Sequence, residues 1–225
     1  MVHDRILLDI ETQRDFFEPG QNCYTPDASS VARSIYSLFS WARINHVPVI
    51  STVLRVRTNE HGPLTSAPHC VEGTDGEKKL SKTLLRHRIN LGLRNVTDLP
   101  ANLFTRYQQV IFEKRDTDIF CHARLERLIT ELAPATFVLC GVGVSHGLVQ
   151  ATVGLRNRGF GVIVASDAIL DLGHPLREMA RLRMEAKGAI FVPASEIIAP
   201  APRRRAAKPR AAAKSGPALQ RAWRK

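Results

Sequence analysis

The sequence predicts a three-layer α/β fold, in which helices cover both faces of a mostly parallel central sheet. Short apolar or β-branched runs alternate with amphipathic helical segments along most of the chain. A chain of 225 residues with 44% hydrophobic residues can bury a full core, and one domain is the default at this length. In such a fold the carboxyl ends of the strands form the expected site.

The first half of the chain predicts three strands and one long helix. Residues 6–10 form an apolar run bounded by polar residues, which indicates a strand buried on both faces. Residues 25–46 show helical spacing of apolar residues, with Asp27 as the expected N-cap. Residues 47–56 are rich in β-branched residues and predict the second strand, and a third is expected at Gln109–Lys114. The stretch between these two strands has an irregular pattern.

The second half continues the alternation to the end of the domain. Helices are predicted over residues 123–132, 145–158 and 175–188. Strands are predicted over residues 136–140 and 160–168, with a last short strand over residues 189–193.

The net charge of +11 is concentrated in residues 201–225, which hold nine Lys or Arg and no acid. The rest of the chain is nearly neutral, so we expect a domain over residues 1–200 followed by a basic tail that cannot fold on its own. Such a tail can touch nucleic acid, an acidic protein or an anionic membrane surface through salt-sensitive charge pairing. A merely solubilising segment is the alternative.

Composition also narrows the cellular setting. No apolar run reaches membrane-spanning length, and the first residues lack the features of a secretory signal, so a cytoplasmic protein is expected. Four cysteines are scattered without CxxC spacing in a chain too large to need disulfide staples. Free thiols are therefore expected, rather than a disulfide framework or a zinc cluster.

Three strand ends carry side chains or backbone groups that are suited to catalysis. "DIETQRDFF" follows the first strand and offers Glu11, "FEKRDTDIF" follows the third and offers Lys114, and "CGVGVSHG" is a glycine-rich turn after the fourth. The carboxyl ends of parallel strands share one edge of the sheet, so these groups are expected to meet.

These motifs resemble those of the isochorismatase-like hydrolases, a family that includes nicotinamidases and other cysteine hydrolases, over roughly residues 4–198. "LLDIETQRDFF" resembles the family's first motif, with Glu11 at its aspartate position. "KRDTDIF" resembles the lysine motif and gives Lys114. By the same resemblance the site also includes Gln13, Phe16 and Phe120.

The resemblance places the family's nucleophilic cysteine at Gly147, counted both from Gly141 and from the "SDA" after the next strand. A thiol at a helix start beside a lysine is favoured as thiolate, and glycine offers no such group. The family pattern further implies a cis peptide at Val142–Gly143, with the Gly143 and Gly147 amides as oxyanion donors. Ser145 and His146 are candidate contact residues in the same turn, and Ser145 is a weak substitute nucleophile.

Two functions stay open at this point. True isochorismatases resemble this chain in having glycine at the cysteine position, and they split a vinyl ether by protonation from a carboxylic acid. Glu11 with Lys114 could act in this way on a small molecule. The alternative is a degenerate relative that binds a small molecule or assembles with partners without turnover. Either form is expected to self-associate, as family members commonly do.

A metal site is not expected. "PHCVEGTDG" resembles a nicotinamidase loop in which the histidine binds a metal, and His69 takes that place. The partner ligands after the second strand are absent from "STVLRVRTNEH". We therefore expect a structural loop histidine and no cofactor.

Overall fold

The computed structural model describes residues 4–132 and 136–199, so the predicted tail over residues 201–225 lies outside the described residues. In chain order the strands are β1 Arg5–Ile10, β2 Val49–Leu54, β3 Arg88–Asn90, β4 Gln109–Lys114, β5 Thr136–Val142, β6 Gly161–Leu170 and β7 Ile190–Val192. The helices are α1 Arg14–Phe17, α2 Ala28–Ile44, α3 Leu103–Arg106, α4 Ala123–Glu131, α5 Val149–Asn157, α6 Arg177–Ala186 and α7 Ala194–Ile198.

The strands form one sheet, with the order β3-β4-β2-β1-β5-β6-β7 among the described residues. Every pairing in this sheet is parallel. β1 is central: Leu7 is in register with Val49 of β2 on one side and with Val138 of β5 on the other. The predicted parallel α/β sheet is confirmed.

Two hydrophobic clusters, one on each face of the sheet, form the core. Because successive strand residues point to opposite faces, Leu7 packs into the cluster that contains α2 and α7, whereas Ile6 and Leu8 pack into the cluster that contains α4, α5 and α6. Apolar residues of α2 recur at helical spacing, and that stripe is the buried one. The three-layer arrangement is confirmed.

Several local expectations differ from the structure. The irregular stretch before β4 contains β3 and α3, which are too short to show a period in the sequence. The helix predicted over residues 145–158 begins instead with a wide turn at Val144–Leu148, in which His146 has non-helical backbone angles, and α5 starts only at Val149. Asp27 is the N-cap of α2 as predicted, but its side chain accepts no capping hydrogen bond.

None of the helices in the described part of the chain is both long and apolar enough to cross a membrane.

Candidate active site

The candidate site lies at the carboxyl edge of the sheet, where the ends of β1 and β4 flank the end of β2. Glu11 follows β1 directly, and Lys114 is the last residue of β4. The Gln13 side-chain amide holds the end of β2 between them, because its Nε2 donates to Leu54 O (2.9 Å) and its Oε1 accepts from Leu54 N (2.8 Å). The two candidate charges therefore face each other across β2.

Glu11 and Lys114 form a buried ion pair. Lys114 Nζ donates to Glu11 Oε1, to the carbonyl of Asp116 (2.6 Å) and to the carbonyl of Thr117 (3.0 Å), so its three donors are all used. Glu11 is 0% exposed and Lys114 only 4%. Glu11 Oε2 is buried without a hydrogen-bond partner in the described structure, so one oxygen of the carboxyl is left unsatisfied.

The backbone of Glu11 explains how its carboxyl reaches Lys114. Glu11 has a φ of 55°, in the left-handed region that costs a residue with a side chain on the order of 1–3 kcal/mol. The turn is held because Glu11 N donates to Thr52 O (3.2 Å) and Gln13 N donates to Glu11 O (2.7 Å). Burial raises the pKa of Glu11, and the neighbouring Lys114 ammonium works against that rise.

Position 147 faces this ion pair. A Cβ atom built on Gly147 would lie 3.9 Å from Glu11 Oε1, 3.2 Å from Thr117 O and 3.3 Å from Ile10 Cγ2. A side chain at this position would therefore begin within van der Waals contact of the Glu11 carboxyl. Glycine supplies no nucleophile there.

The turn around Gly143 differs from the family pattern. The described residues contain no cis peptide bond, so the expectation at Val142–Gly143 is wrong; Gly143 turns the chain with a φ of 82°. The Gly143 N–H donates to Leu170 O (3.1 Å) in β6, so it is directed away from the role of oxyanion donor that we expected. Its carbonyl accepts from His146 N and Leu148 N (3.0 and 3.2 Å), which closes the wide turn.

Ser145 and His146 lie on this turn and are both half-buried. Ser145 Oγ is buried without a hydrogen-bond partner in the described structure, so no base activates it there. The His146 ring lies edge-on to His174, with 4.9 Å between the centroids. Burial, and then the neighbouring charge of His174, lower the pKa of His146.

The two predicted aromatic residues have different surroundings. Phe16 is fully buried and packs against His69, with ring centroids 5.7 Å apart. Phe120 lies against α5 instead: its ring fills the space beside Gly154, and the Arg158 guanidinium lies 3.9 Å from its centroid.

The structure adds a second buried ion pair that the sequence reasoning missed. Lys79 Nζ donates to Asp9 Oδ2 and to Thr12 Oγ1 (2.5 Å), and Ser51 Oγ also donates to Asp9 Oδ2 (2.8 Å). Lys79 thus binds the residues on both sides of the Glu11 turn. The sequence signal was a charged residue, Asp9, inside an apolar strand; its partner lies 70 residues away and carries no local signal.

The loop over residues 62–69 lies against the turn at Gly143. Leu64 is 4% exposed, and its Cδ2 lies 3.1 Å from where a Cβ of Gly143 would be. Leu64 N donates to His69 Nε2 (3.3 Å), and His69 Nδ1 contacts Ala67 O (2.8 Å), so the loop is held by its own histidine. The imidazole occupies the space in which a side chain at Gly62 would stand.

The four cysteines are free, as predicted. Cys23, Cys70 and Cys140 are buried, whereas Cys121 is exposed. Burial raises the pKa of each of the four thiols. None of them has the surroundings of an activated nucleophile.

A family model described as the isochorismatase domain matches residues 5–196. The chain therefore belongs to the isochorismatase-like hydrolase family. No curated protein sequence matches this chain.

Solved structures of this family have the same fold. Nicotinamidase/pyrazinamidase PncA from Bacillus subtilis is 19% identical, covers 84% of this chain and 99% of its own, and has a TM-score of 0.63. An isochorismatase family protein from Desulfovibrio vulgaris is 18% identical and has a TM-score of 0.64. The match covers 87% of this chain and 96% of that protein. Pyrazinamidase of Pyrococcus horikoshii, solved in complex with zinc, is 18% identical and has a TM-score of 0.61. The match covers 84% of this chain and 99% of that protein.

The residues that the structure describes do not fit a zinc site. Both ring nitrogens of His69 already have partners within the loop. Across residues 4–132 and 136–199, no group of three or more His, Cys, Asp or Glu side chains is arranged to hold a metal ion.

Proposed function

We propose that the protein hydrolyses a small molecule by acid–base chemistry of Glu11, without a covalent intermediate. The observation that carries this proposal is the Glu11 carboxyl itself. It is fully buried, its Oε1 accepts from Lys114 and lies 3.9 Å from a Cβ atom built on Gly147, and its Oε2 has no hydrogen-bond partner in the described structure. A carboxyl group with a raised pKa keeps its proton to higher pH, which suits a general acid.

In this proposal each group has one task. For a vinyl ether, Glu11 gives its proton to the enol carbon, water adds to the oxocarbenium carbon that results, and Glu11 recovers a proton from that water. The hemiketal then breaks its C–O bond and releases an alcohol and a ketone. Lys114 fixes the carboxyl and favours its ionised form after the transfer. The Gly147 N–H donates to negative charge that develops at the turn, whereas Gly143 serves to shape the turn itself. Gln13, Phe16 and Ser145 support the site, and His146 lines its approach.

A substrate panel tests this function. The full chain is incubated with isochorismate, nicotinamide and simple amides, and products are followed by chromatography, beside a Cys121→Ser variant. We expect turnover of at least one compound, at the same rate in the variant, because Cys121 has no part in the chemistry. Turnover that disappears with Cys121 would contradict the cysteine-free mechanism.

A second candidate is a binding or assembly protein without turnover, in which the basic tail contacts nucleic acid or an acidic partner. The closed site favours it: Glu11 is 0% exposed, and Leu64 lies over Gly143. Absence of turnover with every compound of the panel would support this reading. Removal of residues 201–225 should then abolish salt-sensitive binding of polyanions.

We further propose that copies of the chain associate through the face of α6 and that the protein is cytoplasmic. Met179 and Leu182 on α6 are 66% and 56% exposed, and their spacing of three residues places them on one face of the helix. Clustered exposed apolar residues are typical of an association surface.

A further inference from the structure

We propose that a groove at the amino edge of the sheet binds a nucleoside mono- or diphosphate. This groove lies where β2, β3 and β4 begin, at the edge opposite to the candidate active site. Its volume is about 420 Å³, within the range of small-molecule sites. The proposal is independent of the hydrolase function.

The rim of the groove is uniformly basic. Its basic lining residues are three arginines and two histidines, all exposed, and no Asp or Glu is among the lining residues: Arg43, His46, Arg86, His87 and Arg106. Arg43, Arg86 and Arg106 make no ion pair within residues 4–132 and 136–199, although more than half of the described Lys and Arg residues do. Arginines without carboxylate partners, gathered around one concavity, favour a phosphate ligand.

The floor and walls of the groove are apolar and aromatic. Pro48 and Leu85 are buried at its base, and Phe104 and Tyr107 are half-buried in its wall. The Arg106 guanidinium lies 5.7 Å from the centre of the Tyr107 ring. A planar base stacks on such rings, which selects a nucleotide over inorganic phosphate.

Hydrogen bonds from neighbouring elements hold the groove in shape. Gln108 Nε2 donates to Ala42 O (2.7 Å) and Val47 O (3.2 Å), which ties the start of β4 to the end of α2. Leu85 N donates to Gln109 Oε1 (2.7 Å), which ties the segment before β3 to the first residue of β4. A preformed site binds its ligand without a large ordering cost.

Calorimetric titration of the full chain tests the proposal, with ADP, AMP, adenosine and inorganic phosphate as probes. ADP is expected to bind more tightly than adenosine or phosphate. The double variant Arg86→Glu/Arg106→Glu is compared with Arg33→Glu/Arg183→Glu, which changes net charge equally at exposed positions outside the groove and keeps the tail. We expect ADP affinity to fall at least about 10-fold per groove arginine, and little in the control.

Equal weakening in both double variants would overturn the proposal, because bulk charge or the tail would then explain binding. So would absence of ADP binding at millimolar concentration, or binding of a uridine dodecamer without binding of ADP. As a readout that needs no variant, 8-azido-ADP is photolysed with the wild-type chain and the labelled peptides are mapped. Label on the peptide that contains Tyr107 supports the site, and label confined to other peptides contradicts it.

Discussion

The backbone of Glu11 turns through the left-handed region while its carboxyl is fully buried against Lys114. In a regular strand Asp9 and Glu11 would point to the same face. The turn instead sends Asp9 to Lys79 and Glu11 to Lys114. Two acids that would repel each other in the core are thereby separated, each with its own ammonium.

Ionisation of Glu11 should make stability depend on pH. Because burial raises its pKa, the folded protein holds this proton more tightly than the unfolded chain, whose ordinary value is 4.5. The resulting contribution to stability is complete below the unfolded pKa and is lost as pH rises through the folded pKa. In urea unfolding, the free energy of the wild type should fall relative to that of Glu11→Gln as pH rises above 4.5. A relative increase would contradict the raised pKa.

The neighbouring lysines 78 and 79 provide a matched test of the second ion pair. Lys79→Met leaves Asp9 buried without its ammonium, and we expect a loss of about 3–5 kcal/mol in the free energy of unfolding. Lys78→Met removes only an exposed pair with Asp75 and should change stability little. Thermal and urea unfolding of the two variants measure the difference. Equal effects would show that the Asp9–Lys79 pair does not hold the Glu11 turn.

Single residues mark the limit of prediction from this sequence. The pairing of Glu11 with Lys114 followed from strand ends, because parallel strands share an edge. The hydrogen bond from the Gly143 N–H to Leu170 O could not be predicted in this way, because Leu170 belongs to a strand that reaches Gly143 only in the folded sheet. Asp9 was hidden by its apolar neighbours, and its role depends on a distant partner.

At the scale of elements, the wide turn Val144–Leu148 sets the start of α5 and brings position 147 to Glu11. Sequence periodicity did not separate this turn from the helix, because its residues continue the pattern of α5. β3 and α3 were likewise missed, since three and four residues are too few to show a period. The longer strands and amphipathic helices were predictable because each buries a face of matching period.

A cysteine at position 147 tests the register of the turn. Gly147→Cys requires neighbouring atoms to yield by a few tenths of an ångström, so it should fold with a loss of about 1–3 kcal/mol. We expect its thiol to be acylated by simple amides, detected by intact-mass spectrometry. Ser145→Cys, which places a thiol two residues away, should stay unmodified. Equal acylation of both variants, or of neither, would contradict the proposed register.

At the scale of the whole molecule, two features lie at opposite edges of one sheet: the closed carboxyl edge with Glu11, and the open amino edge with the basic groove. The fold class followed from the sequence because alternating strands and helices have few compatible arrangements. The groove could not be predicted from the sequence, because its arginines come from three separate segments of the chain.

Association of copies is the prediction at this scale. Met179→Glu/Leu182→Glu should shift the chain toward the monomer in light scattering coupled to size exclusion, because charge on the α6 face prevents its burial. Ile44→Glu, at a 68% exposed apolar residue of α2, is the control and should leave the mass unchanged. A wild type that is monomeric, or a control that dissociates equally, would contradict the assigned face.

The rate of hydrolysis by Glu11→Gln, on the compound that the wild type turns over fastest, tests the central claim most directly. Gln keeps the size of the side chain but cannot transfer the proton, so we predict a loss of about 10²–10⁴-fold in kcat. Glu178→Gln, at an exposed residue of α6, should retain the wild-type rate. Equal rates in wild type and Glu11→Gln, with both proteins folded, would show that catalysis does not depend on the carboxyl beside Lys114.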